Sequence, residues 1–321
     1  MRSISGVKPT GKIHLGNFFG AIKQFIETGT GYENFYFIAD YHALTTNPKK
    51  EDLKRDSIDI AMDYLALGLD PNHSNIFLQS SLPQHCELQW ILSNVTPLSL
   101  LMRGHAYKSS KDSNTNINMG LFNYPVLMAS DILIYDADIV PVGKDQKQHV
   151  EFARDIAEKF NLTYGEGFKI PEAKILNETQ TVVGIDGRKM SKSYGNTIKI
   201  FDEEKNIKKS IMGIVTDSKG VDETKNPANC NIFKIYSLFL NENEKEELER
   251  KYTEGGTGYG VLKKELFETL MEYFKKARIR RNELKNDREY VENILAKGKE
   301  RAKSIANEKM SKIRELIGIK H

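Results

Sequence analysis

The stretch Ser5-Gly6-Val7-Lys8-Pro9-Thr10-Gly11-Lys12-Ile13-His14-Leu15-Gly16-Asn17 constrains this chain more than any other. It starts in a short apolar segment (Ile4, Val7) suited to a first strand and turns at Lys8-Pro9-Thr10-Gly11. It then enters an amphipathic run over 15–26 that predicts a helix. Strand, glycine-punctuated turn and helix N-terminus make a phosphate site. Unpaired N–H groups and the positive end of the helix dipole face the anion, and glycine lets backbone approach it. His14 and Asn17 add neutral donors at the same place. Openings of this kind are often simple tight turns, so a distant partner has to decide the matter.

That partner is Lys189-Met190-Ser191-Lys192-Ser193, set between Gly187 and Gly195. Two lysines and two serines on a glycine-flanked loop suit closure over a polyphosphate, with charge delivered to the transition state. Taken together, the two motifs resemble the signatures of class I aminoacyl-tRNA synthetases. His14-Leu15-Gly16-Asn17 resembles the first signature, with Asn in place of the usual terminal His, and Lys189 to Ser193 matches the second at every position. Between them, Asp40-Tyr41-His42-Ala43-Leu44-Thr45 and Pro141-Val142-Gly143-Lys144-Asp145-Gln146-Lys147-Gln148-His149 are similar to the tryptophanyl-tRNA synthetases. The resemblance runs over nearly the whole chain.

The resemblance implies ATP and Mg²⁺ as cofactors, and L-tryptophan and tRNA(Trp) as partners. It also implies a cytoplasmic homodimer with no membrane attachment. Catalytic roles fall on His14, Lys189, Lys192 and Ser193. ATP contacts fall on Lys8, Pro9, Thr10, His14, Gly16, Asn17, Gly143, Lys144, Asp145, Ile185, Lys189, Met190, Ser191, Lys192 and Ser193. No protein metal ligand is implied, since Mg²⁺ is held through the ATP phosphates. Lys108 is a further candidate cation, and Lys144 stands where related enzymes often carry an acid.

For the amino-acid pocket the candidates are Ile4, Gly6, His42, Tyr124, Met128, Asp131, Val140, Val142 and Gln146. Tyr124, Met128 and Asp131 are spaced to share one helix face. Apolar, aromatic and thioether groups around one carboxylate suit a flat ring with a single N–H donor. Met128 and Tyr124 alone would read as core packing. Asp131 among Met128, Ala129, Ile132 and Leu133 tips the balance, because a buried carboxylate requires a partner.

Composition sets the frame. At 321 residues, 39% apolar and 28% charged, the chain suits two globular domains. No apolar run nears the roughly 20 residues of a membrane helix. The two cysteines, Cys86 and Cys230, lack metal-type spacing and read as reduced thiols. Net charge is +3, unevenly placed: from Lys275 onward 15 Lys and Arg face 7 Asp and Glu, against 32 and 37 in the remainder. A basic tail on an acidic body suits a phosphate backbone gripped at one end, with Arg278, Arg280 and Arg281 as candidates; a solvated helical surface is the alternative.

Strand patterns at 34–39, 75–78 and 138–142 alternate with helical patterns at 51–67, 84–94, 98–108, 122–135 and 145–160. That order predicts an α/β fold, a Rossmann-like doubly wound parallel sheet over residues 1–198. From 199 to 321 only helical patterning follows (203–214, 232–240, 242–252, 261–281, 288–317), which predicts an all-helical second domain; the resemblance implies that this is the tRNA-binding one. Two look-alikes are rejected. Lys309-Met310-Ser311-Lys312 copies the second motif inside a helical pattern, and Gly255 to Gly260 follows a helix rather than a strand. Three rival readings stay open: a tyrosine-specific sister synthetase, a synthetase-like RNA-binding protein without catalysis, and a small-molecule adenylyltransferase.

Overall fold

The computed structural model describes residues 1–28, 31–104, 107–108, 117–142, 147–175 and 182–319. Five parallel strands form one sheet: β1 (Arg2–Val7), β2 (Glu33–Ile38), β3 (Ser74–Leu78), β4 (Ile139–Val142) and β5 (Glu172–Ile175), in the order β3-β2-β1-β4-β5. The chain winds outward from β1 first one way and then the other, as expected for a doubly wound fold.

Alternation along β2 explains why both faces of the sheet are covered. Phe35 and Phe37 point into one core with Ile4, Phe77, Val140 and the helices Gln84–Ser93, Met119–Leu133 and Lys147–Tyr164. Tyr36 and Ile38 point into the other with Ile76, Leu15, Phe18, Ile60 and the helices that follow residue 203. Each fully buried aromatic contributes about 1.5–3 kcal/mol by leaving water.

Several boundaries differ from the sequence reading. The helix expected at 122–135 runs Met119–Leu133, because the Asn118 side chain caps it by accepting from Leu121 N–H at 2.8 Å. The run at 98–108 is not one continuous helix among the described residues: Leu98–Leu101 is helical, Met102 and Arg103 turn, and Tyr107 and Lys108 are helical again. The expected helix 261–281 is two, Tyr259–Tyr273 and Lys275–Asn286, parted at Phe274, whose ring is buried against Phe18 at a centroid distance of 5.0 Å.

The last helix, Arg288–Leu316, spans both cores. Its first turns pack Val291, Ile294 and Leu295 with the other C-terminal helices. Ala302, Ile305, Ala306, Met310 and Ile313 lie in the sheet's own core, and the helix runs against edge strand β3. Gly298 makes this possible: a Cβ there would sit 2.1 Å from the Ile76 carbonyl oxygen. The helix thus covers a sheet edge that would otherwise be open to pairing. Arg314 braces it to Glu87 at 2.6 Å and Arg301 to Glu33 at 2.6 Å. No described helix is long and apolar enough to cross a membrane.

Candidate active site

The carboxyl ends of β1 and β2 bring the first motif and residues 40–45 together. Val7 pairs with Ile38, and Ala39 N–H donates to the Val7 carbonyl at 2.8 Å. Past the strand, Lys8 Nζ donates to Thr45 Oγ1 at 3.0 Å and Pro9 is buried. Gly11 takes φ +74°, a left-handed turn suited to glycine, and its N–H donates to Asp56 Oδ2 at 3.0 Å. Asn17 Oδ1 accepts the His14 N–H at 3.2 Å, which fixes the entry of the helix. The run that starts at Leu15 passes through a π-helical segment, Phe18–Ile22, before Lys23–Thr28.

His14 is buried at 5% exposure, and its Nδ1 has no partner among the described residues. Burial, reinforced by the Lys192 charge, pulls its pKa down to about 4. The ring is therefore neutral at physiological pH and can offer a hydrogen bond without adding charge.

The second motif closes directly onto this turn. Lys192 Nζ donates to the carbonyls of Thr10 and Gly11, the latter at 3.0 Å, and the Gly16 N–H lies 3.3 Å from Met190 Sδ. Behind the loop, Leu15 N–H donates to the Ile198 carbonyl at 3.0 Å and Ile200 N–H to the Ile13 carbonyl at 3.1 Å. Lys189 and Ser193 are exposed, Ser191 is half-buried, and Ile185 N–H donates to the Asn196 carbonyl at 3.1 Å.

Asn196 is a residue the sequence reading missed. It is buried, accepts the Ser191 N–H at 2.8 Å, and donates to Asp186 Oδ1 at 2.7 Å and to the Lys189 carbonyl at 3.1 Å. It gives the loop its shape. Its position directly after Gly195 at the motif's end was the available signal.

Asp131 is the hub of a second cluster. It is wholly buried; Oδ1 accepts from Gln79 Nε2 at 2.7 Å and His85 Nδ1 at 2.7 Å, and Oδ2 lies 2.8 Å from His42 Nε2. Burial alone would raise the carboxyl, but the hydrogen bonds from His42 and His85 outweigh it and hold the pKa at about 2. His85 Nε2 in turn lies 2.9 Å from the Tyr135 hydroxyl, which burial and the Asp131 charge keep protonated. A ring that accepts from Tyr135 at Nε2 donates from Nδ1 to the carboxylate. Each carboxylate oxygen has two lone pairs, so Oδ2 keeps one acceptor position beyond His42.

Tyr124 stands edge-on to His42 at 6.1 Å between centroids, and its hydroxyl lies 3.1 Å from His149 Nε2. Met128 is half-buried on the same helix. Gly6 lies at the exposed end of β1, where a Cβ would meet the Phe37 ring at 2.4 Å. Ile4, Val140 and Val142 are core residues. Gly143, Lys144, Asp145 and Gln146 lie outside the described residues. Among the described residues no group of three or more His, Cys, Asp or Glu could hold a metal ion.

The tail arginines require a correction. Arg278 donates to the carbonyls of Ile200 and Asp202, and Arg281 binds Asp59 and Asp63, so neither presents a free cation to a phosphate backbone. Arg280 is the exposed member, paired with Glu283 at 2.9 Å. Both look-alikes are structural. Lys309 is buried on Asp136 and the Gly167 carbonyl with Met310 in the core, and Gly255 and Gly256 connect two helices with φ near +78° (+77° and +79°).

A family model described as tRNA synthetases class I (W and Y) matches residues 1–275. The chain is 53% identical over 319 residues to a tryptophan–tRNA ligase of Fusobacterium nucleatum, covering 99% of this chain and 98% of that protein. It is 50% identical over 319 residues to a tryptophan–tRNA ligase of Campylobacter jejuni, covering 99% and 100%. It is also similar, at a TM-score of 0.94 and 50% identity, to the crystal structure of tryptophanyl-tRNA synthetase from Campylobacter jejuni complexed with ADP and tryptophan, covering 99% of this chain and 100% of that one.

Proposed function

The chain belongs to the tryptophan–tRNA ligase branch of the class I tRNA synthetases, and from that premise we infer that it activates L-tryptophan with ATP and transfers it to tRNA(Trp). The observation that carries the inference is the contact of the two motifs, with Lys192 on the Thr10 and Gly11 carbonyls and Gly16 against Met190.

In the first step a tryptophan carboxylate oxygen attacks the α-phosphorus of ATP. The bond to the β-phosphate oxygen breaks, and pyrophosphate leaves. The carboxylate is already ionised, so no general base is required, and catalysis rests on positioning and on neutralising the charge that moves to pyrophosphate. Neutral His14, with Gly16 and Asn17, faces the phosphates from the helix N-terminus, while Lys192 can exchange its two carbonyl partners for phosphate oxygens. Lys189, Ser191 and Ser193 lie on the same loop. Mg²⁺ would be held through the ATP phosphates and would supply further charge neutralisation there. In the second step a ribose hydroxyl of the tRNA 3′ end takes the aminoacyl group and AMP leaves.

Asp131 is the acceptor for the indole N–H in this reading, through the open position on Oδ2. Tyr124 and Met128 line the ring, and Gly143 to Gln146 complete the nucleotide and amino-acid sides. A cytoplasmic homodimer is the assembly that accompanies it. Trp90 at 73% exposure, Leu98 at 65%, Met102 and Met119 are exposed apolar side chains available for such a contact. Amino-acid-dependent ATP–pyrophosphate exchange across all twenty amino acids tests the function. Tryptophan should support exchange and then be esterified to tRNA(Trp); exchange with tyrosine alone, or with none, overturns the reading.

A further inference from the structure

Helix Lys275–Asn286 carries two arginines one turn apart, Arg278 and Arg281, that reach in different directions. Arg278 forks between two backbone carbonyls just beyond the second motif, Ile200 at 2.5 Å and Asp202 at 3.0 Å. Arg281, largely buried, binds Asp63 Oδ1 at 2.5 Å and Asp59 Oδ1 at 2.8 Å on helix Lys50–Ala66. Both targets lead to the first motif. Ile200 N–H donates to the Ile13 carbonyl at 3.1 Å, and Lys12 pairs with Asp202 at 3.1 Å. The Asp63 carboxylate faces the Ile13 N–H, and Asp56, on the same helix, accepts the Gly11 N–H at 3.0 Å. A single helix therefore holds the segment behind one motif and the floor beneath the other.

We propose that Arg278 and Arg281 are positioning residues of the adenylation step, fixing the spacing across which Lys192 meets the nucleotide held at Gly11–Asn17. Only a guanidinium can serve here, because each site requires two donors in a planar fork. The sequence presents these arginines as surface charge for nucleic acid; their partners make them an internal clamp. The inference rests on the adenylation reading above. Absence of tryptophan-dependent exchange in the wild-type protein would defeat that reading, whereas the variants below test the clamp alone.

Arg278→Met and Arg281→Met are each measured by ATP–pyrophosphate exchange, alone and combined with Lys192→Ala. Each should raise KM for ATP and lower kcat, with kcat/KM for ATP falling about 10-fold, while KM for tryptophan moves less than about twofold. In the Lys192→Ala background the loss should shrink towards none, because the cation being positioned is gone. Lys285→Met, exposed on the same helix, should leave exchange unchanged. The proposal is overturned if the losses persist in full beside Lys192→Ala, or if kcat falls only with the folded fraction while both KM values hold. Should the Met variants fail to fold, Arg278→Lys and Arg281→Lys keep the charge, lose the fork and face the same two readouts.

Discussion

His85 Nδ1 and Asp131 Oδ1 lie 2.7 Å apart with both side chains wholly buried. With Gln79 on the same oxygen and His42 on the other, the carboxylate is locked in one rotamer and held ionised before any substrate arrives. This explains how an acid can sit in an apolar helix face, and it changes how the residue should be tested. Asp131→Ala would strand the buried Gln79 and His85 and the half-buried His42, and destabilise the core.

Asp131→Asn is the better variant. It keeps the shape but replaces an acceptor with an NH₂ donor that faces donors. A site built to pair a buried polar group discriminates far more strongly than an apolar pocket, which resolves only about 1–3 kcal/mol per methylene. kcat/KM for tryptophan in exchange should fall by about 100-fold or more, and that for phenylalanine far less. An unchanged tryptophan-to-phenylalanine ratio would move the selection to the shape of the pocket around Tyr124 and Met128.

Lys192 already spans the two motifs through carbonyls that offer only partial negative charge. Phosphate oxygens that gain charge as pyrophosphate departs should bind it more strongly than the ground state does. Lys192→Ala is therefore expected to slow adenylate formation by about 100-fold, or about 3 kcal/mol, with tryptophan KM nearly constant. Single-turnover kinetics separate the terms; equal losses in affinity and rate would make Lys192 a plain binding contact.

The doubly wound sheet was legible because β2 is apolar at every position from Phe35 to Ile38, a pattern that requires cover on both faces. β5 was not. Glu172-Ala173-Lys174-Ile175 is short and half charged, and what makes it a strand is its pairing with β4, Val140 opposite Ala173. Both motifs could be read from residue types alone. Gln79 and His85 could not, since nothing in sequence says that a polar residue after Phe77-Leu78 faces a carboxylate 52 positions on. Arg278 and Arg281 show the same limit: charge is visible in a sequence and its partner is not. The last helix displayed its apolar stripe but not what the stripe meets.

Gly298 was the missed clue for that helix. Its Cα faces the β3 backbone so closely that an added methyl would fall 2.1 Å from the Ile76 carbonyl oxygen and 2.7 Å from its nitrogen. Backbone on both sides leaves no flexible side chain to yield. Gly298→Ala should cost about 2–3 kcal/mol through overpacking, despite the better helix propensity of alanine. For a chain of this length that corresponds to roughly 3–5 °C in Tm. A melting temperature within about 1 °C of wild type would show that the helix shifts freely on the strand.

His14 provides a pH test of the first motif. Its ordinary pKa is 6.5 and burial, with the Lys192 charge, holds it at about 4 in the folded chain. Above 6.5 the ring is neutral in both states and the folded form suffers no penalty. As pH falls from 6.5 towards 4, the unfolded chain takes up a proton that the folded chain refuses, so stability declines across that window and levels off below it. The contribution is at most about 3 kcal/mol. Other buried acids titrate nearby: Asp63, raised to about 6 by burial against the pull of Arg281, acts with the opposite sign. The measurement is therefore a difference, urea unfolding of wild type and His14→Gln from pH 7.5 down to pH 4.5. The wild-type curve should fall more steeply between 6.5 and 4.5, and parallel curves would sink the assignment. Lys192→Ala removes the secondary cause and should raise the His14 pKa, followed through its ring proton signals by NMR. If that resonance titrates near 6.5 in both proteins, the ring is charged at the phosphate site in mildly acid conditions, and its role as a neutral donor there fails.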